Sequence, residues 1–142
     1  MKISTKGRYA VNALIEIALN QDKGPVTLSE LASMQGISLS YAEQLFASLR
    51  KQGLVKGTRG PGGGFKLARN ADEITIGEII RAVYQNEASS WVEPASSSGE
   101  RAASYWERLD NKIDSFLEKI TLQDAIGRDE PIASSEIDRF GS

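Results

Sequence analysis

A helical period of apolar residues dominates the first fifty positions of the chain. Between residues 7 and 21 the spacing predicts one helix with a broad apolar face. The positions on that face are Tyr9, Val11, Leu14, Ile15, Ile17 and Ala18. Gly24 and Pro25 then interrupt the pattern, so we expect this first helix to end before them.

A short second helix is marked at both ends. Thr27 and Glu30 have the spacing of a capping box, and Gly36 is a typical C-terminal residue. A third helix is predicted only a few residues later. Two helices joined by a brief turn have the outline of a helix-turn-helix, in which Ile37 would be the buried residue of the turn. An ordinary helical hairpin has the same outline.

The third helix is predicted over residues 39–52. Ser40 and Glu43 have capping-box spacing at its start, and Gly53 follows its end. Its apolar face consists of Leu45, Phe46 and Leu49.

The stretch RGPGGGFKLAR, residues 59–69, places three consecutive glycines between basic residues. The flanking segments 54–59 and 65–69 have the pattern of short strands, so we expect a β-hairpin with glycines at its tip. Three helices followed by such a hairpin form a winged helix-turn-helix. A fourth helix is predicted from Thr75, with Glu78 at capping-box spacing. The predicted fold is therefore mainly α, with a two-stranded β wing.

The second half of the chain has a different organisation. Residues 1–84 form the predicted winged-helix domain, and residues 85–103 are rich in Ser and Ala, which predicts a flexible loop. A long helix is predicted over 104–126, and a weakly ordered tail over 127–142. The apolar stripe of that helix consists of Trp106, Leu109, Ile113, Phe116, Leu117 and Ile120. Such a stripe has to be buried, either against a second copy of the chain or against its own domain.

Composition excludes several kinds of chemistry. The 142 residues contain neither cysteine nor histidine, which removes disulfides, thiol nucleophiles, thiolate metal sites and histidine acid–base catalysis. No arrangement of carboxylates or lysines predicts an enzyme. No apolar run approaches the roughly 20 residues that a membrane span requires, and the start of the sequence has no apolar leader segment. We therefore expect a cytoplasmic protein without a membrane partner.

Charge is distributed unequally along the chain. Residues 1–70 carry ten Lys/Arg against four Asp/Glu, a net charge of +6, whereas the remainder carries seven against fifteen, a net charge of −8. This asymmetry suggests that the first half meets an anion. Two solvated surfaces of opposite sign would produce the same counts.

The glycine hairpin does not match a nucleotide-binding loop. A P-loop requires Lys and Ser/Thr directly after the glycines at the start of a helix, whereas Phe65 and a strand-like pattern follow here. As a wing, a tip without side chains can approach the sugar-phosphate backbone of DNA, and Arg59 can enter the minor groove. The hairpin therefore favours double-stranded DNA as the partner.

The third helix would lie in the major groove, where Gln44 can pair with adenine and Glu43 can accept from cytosine. Glu43 would equally serve as a capping residue. Arg50, Lys51 and Lys56 are interpreted as nonspecific phosphate contacts or solvated charges. The complete set of predicted DNA contacts is Lys6, Arg8, Tyr9, Ser38, Ser40, Tyr41, Glu43, Gln44, Arg50, Arg59, Gly60, Pro61, Gly62 and Gly63.

Three motifs, KGRYAV, QGISLSYAEQLFASLRKQGLV and RGPGGGF, occur in this order and carry a family resemblance. The chain resembles the IscR-type regulators of the Rrf2 family, which are dimeric winged-helix transcription factors. The resemblance implies that the chain binds promoter DNA through residues 39–52 and 59–65. It also implies a homodimer formed through the helix at 104–120.

One departure from that family concerns its cofactor. IscR-type members usually hold a two-iron two-sulfur cluster through three cysteines and a histidine in the loop before the dimerisation helix. Here that loop contains Ala88, Ala95, Ala102 and Ala103 and none of the ligands. We therefore expect no cofactor in this chain. Replacement of the ligands by alanine and a member that senses another signal, such as cysteine metabolism, both remain open.

A different class of function also fits a winged helix, namely a protein-interaction module that binds another protein. The basic first half argues against it, because acidic or apolar surfaces are more usual for docking.

Overall fold

This computed structural model describes residues 5–60, 63–84 and 99–127 of the chain. They contain six α-helices and a two-stranded antiparallel sheet. The helices are α1 (Thr5–Leu19), α2 (Leu28–Gln35), α3 (Leu39–Lys51), α4 (Ile76–Val83), α5 (Glu100–Lys119) and α6 (Leu122–Ile126). The strands are β1 (Val55–Thr58) and β2 (Gly64–Leu67), and a 3₁₀ turn covers Ala71–Glu73. The predicted winged helix-turn-helix with a long C-terminal helix is confirmed.

The caps of α2 are those expected from the sequence. The Glu30 amide donates to the Thr27 hydroxyl at 3.1 Å, and the Thr27 amide donates to the Glu30 carboxylate at 3.3 Å. Gly36 follows the helix with φ of 66°, a left-handed conformation that suits glycine. The turn into α3 is consequently fixed on its α2 side.

The start of α3 differs from the sequence-based expectation. Ser38, rather than Ser40, is the N-cap, and its hydroxyl accepts from the Tyr41 amide at 3.1 Å. The predicted box between Ser40 and Glu43 is therefore wrong, because Glu43 lies beyond the first turn. Ile37, the predicted buried residue of the turn, is half-buried and packs against the core.

The hairpin pairs Val55 with Leu67 and Thr58 with Gly64. An isolated bridge adds Val26 to the outer edge of β2, where Val26 and Phe65 exchange backbone hydrogen bonds of 3.1 and 2.7 Å. The segment before α2 thus supports the hairpin, a pairing that the sequence pattern did not predict.

The C-terminal elements return to the beginning of α4. Thr75 caps α4 with Glu78, as expected, and also bridges to Thr121. The predicted helix over 104–126 is wrong in its extent, because α5 already begins at Glu100 and a break at Ile120 separates it from α6. A capping box between Thr121 and Asp124 starts α6 and explains that break.

One hydrophobic core joins all these elements. Burial of each large aliphatic side chain stabilises the fold by about 1.5–3 kcal/mol. No charged or polar residue among those described is buried. The largest fully buried side chains are Leu14, Ile17, Leu31, Leu49, Leu54, Val55, Ile74, Ile79, Ile80 and Leu122.

Several expectations fall on residues that the structure does not describe. Pro61 and Gly62 of the wing tip, most of the predicted loop with Ala88 and Ala95, and the tail from residue 128 lie outside the described residues. Ala102 and Ala103, which were expected in the loop, belong to the first turn of α5. Among the helices described, none is both long and apolar enough to span a bilayer.

Candidate DNA-binding surface

The first turns of α3 present polar side chains to solvent. Ser38, Ser40, Glu43 and Gln44 are all exposed. The opposite face of the same helix is buried through Ala42, Leu45, Phe46 and Leu49. Since no described residue forms an ion pair with Glu43, its carboxylate is available to an external donor. The capping role that the sequence left open for Glu43 is excluded by the position of Ser38.

Tyr41 connects this turn to the start of α1. Its ring meets that of Tyr9 edge to face, with centroids 6.0 Å apart. Both tyrosines are half-buried. Burial, assisted by the Coulombic effect of Tyr84 and Tyr9, raises the pKa of the Tyr41 phenol. As with an ordinary tyrosine, the hydroxyl is protonated at neutral pH and can donate a hydrogen bond. The structure thus brings the two predicted tyrosine contacts together.

The N-terminal turn of α1 adds two cations at this end of the molecule. Arg8 is exposed, whereas Lys6 is half-buried, with its ammonium 5.4 Å from the centroid of the Tyr84 ring. The Gly7 amide donates to the Tyr84 hydroxyl at 3.2 Å. Through these contacts with Lys6 and Gly7, Tyr84 fixes the position of the first turn of α1.

The wing presents Arg59 and Gly60 to solvent. Gly60 has a φ of 94°, which favours glycine, and its carbonyl accepts from the Gly63 amide at 2.9 Å. The Thr58 hydroxyl accepts from the Gly64 amide at 3.0 Å and so closes the base of the tip. No described carboxylate pairs with Arg59, whose guanidinium is free for a ligand.

The wing and α3 are connected through their aromatic residues. Phe46 of α3 and Phe65 of β2 have ring centroids 4.7 Å apart. Arg50 and Lys51 lie exposed on the last turn of α3, and Lys56 lies exposed on β1. We define the recognition surface as the start of α3 together with the wing tip. Its two parts are held together by the packing of α3 against β2.

Leu39 was not among the predicted contacts. It is the first residue of α3, it lies between the two exposed serines, and 48% of its surface is exposed. An aliphatic side chain in this position can contact the methyl group of thymine. The sequence alone did not indicate this contact, because an apolar residue at a helix start is usually assigned to the core.

The residues of this chain do not fit an iron–sulfur cluster. Such clusters are held by cysteine thiolates, in some cases with histidine, and the sequence has neither residue. Within the described ranges no group of three or more acidic residues is placed to bind a metal ion.

Comparisons with known proteins agree with this geometry. Residues 3–128 match the Rrf2 family, described as an iron-dependent transcriptional regulator. The HTH-type transcriptional regulator IscR of Pectobacterium atrosepticum is 43% identical over 134 residues, which cover 92% of this chain and 82% of that protein.

Two solved structures extend the likeness to three dimensions. IscR of T. potens has a TM-score of 0.75 and 41% identity, covering 92% of this chain and 89% of that one. CymR, the global cysteine regulator of B. subtilis, has a TM-score of 0.76 and 37% identity, covering 89% and 97%. The chain belongs to the Rrf2 family of transcriptional regulators and is a DNA-binding regulator rather than an enzyme.

Proposed function

We propose that the recognition surface binds a specific operator in double-stranded DNA, with the start of α3 in the major groove. The observation that carries this proposal is the exposure of Ser38, Ser40, Glu43 and Gln44 on the first two turns of a helix whose other face is anchored in the core. Gln44 would pair with adenine, Glu43 would accept from cytosine, and the serine hydroxyls would bind phosphate.

The wing is proposed to lie along the neighbouring minor groove. Arg59 would enter that groove, where a narrow width concentrates negative potential. Lys6, Arg8 and Arg50 would contact the phosphate backbone, and Tyr9 and Tyr41 would fix the start of α1 against α3. Gly60, Pro61, Gly62 and Gly63 would supply the close approach of the tip.

This proposal is tested by affinity measurements on operator duplexes selected from a random pool. Replacing Arg59 by Ala removes a groove contact and is expected to weaken binding by about 1–3 kcal/mol. The logarithm of the association constant should fall with the logarithm of salt concentration, by about 0.9 for each phosphate neutralised. Fluorescence anisotropy over a salt series measures both quantities.

The control is Lys23→Ala, which removes a cation from the exposed turn after α1. Its affinity should remain close to that of the unaltered protein. An Arg59→Ala affinity equal to that of the control would remove the wing from the interface. Binding without salt dependence would contradict DNA recognition by this surface.

We further propose that two copies associate through α5. Of its 20 residues only Leu117 is fully buried, while Tyr105 and Trp106 remain 52% and 42% exposed. Leu109, half-buried, lines an open groove with Ile113 and Phe116. Apolar surface of this extent on one stripe of a helix is typical of a helix–helix interface. A two-fold axis would then present two recognition surfaces to a near-palindromic operator.

Leu109→Asp tests the homodimer, because it places a carboxylate in the groove at a position that is not packed against the core. We expect sedimentation equilibrium to show monomers and the affinity for the full operator to fall. Ser104→Asp introduces the same group at an exposed position of α5 and should leave the dimer intact. A Leu109→Asp protein that sediments as a dimer would contradict the assignment of α5 as the interface.

Operator binding by this chain is proposed to be independent of iron, because the thiolates that would hold a cluster are absent. Equal affinity for the selected duplex in the presence of added iron and of a chelator is the expected result. A change in affinity between the two conditions would contradict it.

A further inference from the structure

A second basic site lies at the base of the wing, away from the tip. A cleft of about 290 Å³ opens between the end of α1 and the hairpin. The polar side chains that line it are Gln21, Lys56, Lys66, Arg69 and Asn70. The lining contains no aspartate or glutamate, so positive charge here is not neutralised within the cleft.

Two lysines of this cleft stand directly opposite each other. Lys56 on β1 is the register partner of Lys66 on β2, and both side chains are exposed. Like charges in opposed positions of an antiparallel pair destabilise a sheet. Neither lysine forms an ion pair with a carboxylate in the described part of the chain. An external anion between them would remove the repulsion.

The third cation of the cleft is held in place. The Arg69 guanidinium pairs with the Glu78 carboxylate at 3.1 Å and also donates to the Glu73 carbonyl. Glu78 in turn caps α4. Arg69 is therefore fixed at the rim of the cleft by contacts outside the lining, and the charge of Glu78 offsets that of Arg69 but not those of the two lysines.

The backbone on this side of β2 adds polar groups. Phe65 directs both its N–H and its C=O to Val26. Because these directions alternate along a strand, Leu67 directs its own groups to the same edge, beside the turn that contains Gly24. Leu67 and Gly24 both line the cleft. A ligand with several acceptor oxygens would meet the Leu67 amide as well as ammonium groups there.

We propose that this cleft binds a phosphate group. Two unpaired ammonium groups match the charge of a phosphate dianion, and the side-chain amides of Gln21 and Asn70 supply further donors to its oxygens. The phosphate comes either from the backbone of the bound duplex or from a free phosphate-bearing metabolite. The site does not depend on operator recognition, since phosphate binding is measurable on the protein alone.

The first arm of the test is thermal unfolding in inorganic phosphate against chloride at equal ionic strength. Phosphate at ten times its dissociation constant should raise Tm by about 3–6 °C. Lys66→Gln removes the repulsion, so its Tm in chloride should be about 1–4 °C higher, and the response to phosphate should be lost. Lys23→Gln, which removes one charge from the neighbouring turn, should keep the full response.

The second arm identifies the source of the phosphate. If the salt slope of duplex binding falls by about 0.9 in Lys66→Gln but not in Lys23→Gln, the cleft holds a DNA phosphate. If the slope is unchanged while the response to free phosphate is lost, the ligand is a metabolite. A Lys66→Gln protein that keeps both the Tm response and the slope would overturn the proposal. If the protein binds no duplex, the thermal unfolding in phosphate can still be measured. Failure of the proposed operator binding is therefore distinguishable from failure of the phosphate site.

Discussion

Gly63 and Gly64 occupy positions where the chain's own backbone leaves no space for a side chain. A β-carbon on Gly63 would lie 2.6 Å from the Thr58 carbonyl oxygen, and one on Gly64 would lie 2.5 Å from the Val26 carbonyl oxygen. These two glycines are therefore required by the closure of the hairpin and by its bridge to Val26. Among the described glycines of the tip, Gly60 has open space around it, and its positive φ also favours glycine.

Gly64→Ala should consequently destabilise the folded protein even without DNA. The methyl group forces Val26 away from β2, and such overpacking costs about 1–3 kcal/mol. Chemical denaturation measures this loss as a lower midpoint.

Gly57→Ala in the paired strand is the matched control. Its β-carbon would meet only the Phe65 ring, at 3.9 Å, which is an ordinary contact. We expect its free energy of unfolding to remain within about 0.5 kcal/mol of the unaltered value. Equal stability of the two variants would refute the steric explanation for Gly64.

At the scale of the elements, the helix caps decide where the recognition surface begins. The Ser38 hydroxyl satisfies the Tyr41 amide, whereas the Ser40 hydroxyl is exposed and makes no cap. Ser38→Ala should lower the free energy of unfolding by about 1 kcal/mol, the usual value of an N-cap. Ser40→Ala should leave it nearly unchanged.

Both serines are proposed DNA contacts, so their variants separate stability from binding. Denaturation of the free protein reports the cap, and anisotropy reports the contact. An unfolding midpoint that falls for Ser40→Ala but not for Ser38→Ala would show that the helix starts later than described.

Which elements the sequence could predict depends on how local their signals are. The boxes at Thr27 and Thr75 involve residues three apart, so they are visible without a fold. The bridge between Val26 and Phe65 joins distant residues with no local pattern and could not be foreseen. The break before α6 was foreseeable, because Thr121 and Asp124 have the same spacing as the other boxes, but the apolar period of α5 runs through it. The candidate DNA contacts follow from residue chemistry, whereas the contact of Tyr9 with Tyr41 required the packing of α1 on α3.

At the scale of the whole molecule, the junction of α4 with α5 joins the two halves of the chain. The Glu118 carboxylate accepts from the Thr75 hydroxyl at 3.3 Å and pairs with Arg81. The Ile76 amide donates to the Ile120 carbonyl at 2.9 Å, and the Leu122 amide donates to the Ile74 carbonyl at 2.8 Å. The last turn of α5 is thereby fastened to the first turn of α4 by both side chains and backbone.

A double-mutant cycle at this junction tests how closely the helices pack. A β-carbon on Gly77 would lie 2.7 Å from the Glu118 carboxylate, so Gly77→Ala should displace that group. In a Glu118→Ala background the same change meets little obstruction, and the better helix propensity of alanine should stabilise α4. We expect a coupling free energy of about 0.5–1 kcal/mol from denaturation of the four proteins. Additive effects would contradict the close approach.

The attachment of α5 at one end has a mechanical consequence. The helix is about 30 Å long, its single fully buried residue, Leu117, lies in the last turn, and its first turns are exposed. A rigid α5 would therefore tilt about its junction with Thr75 and α4. A displacement of about 2.6 Å at the first turn of α5 would tilt the helix by only about 5° over that length. The junction with α4 would therefore move much less than the first turn. The wing is joined to this junction through Glu78 and Arg69, so it would turn appreciably only if the first turn of α5 moved by several ångströms.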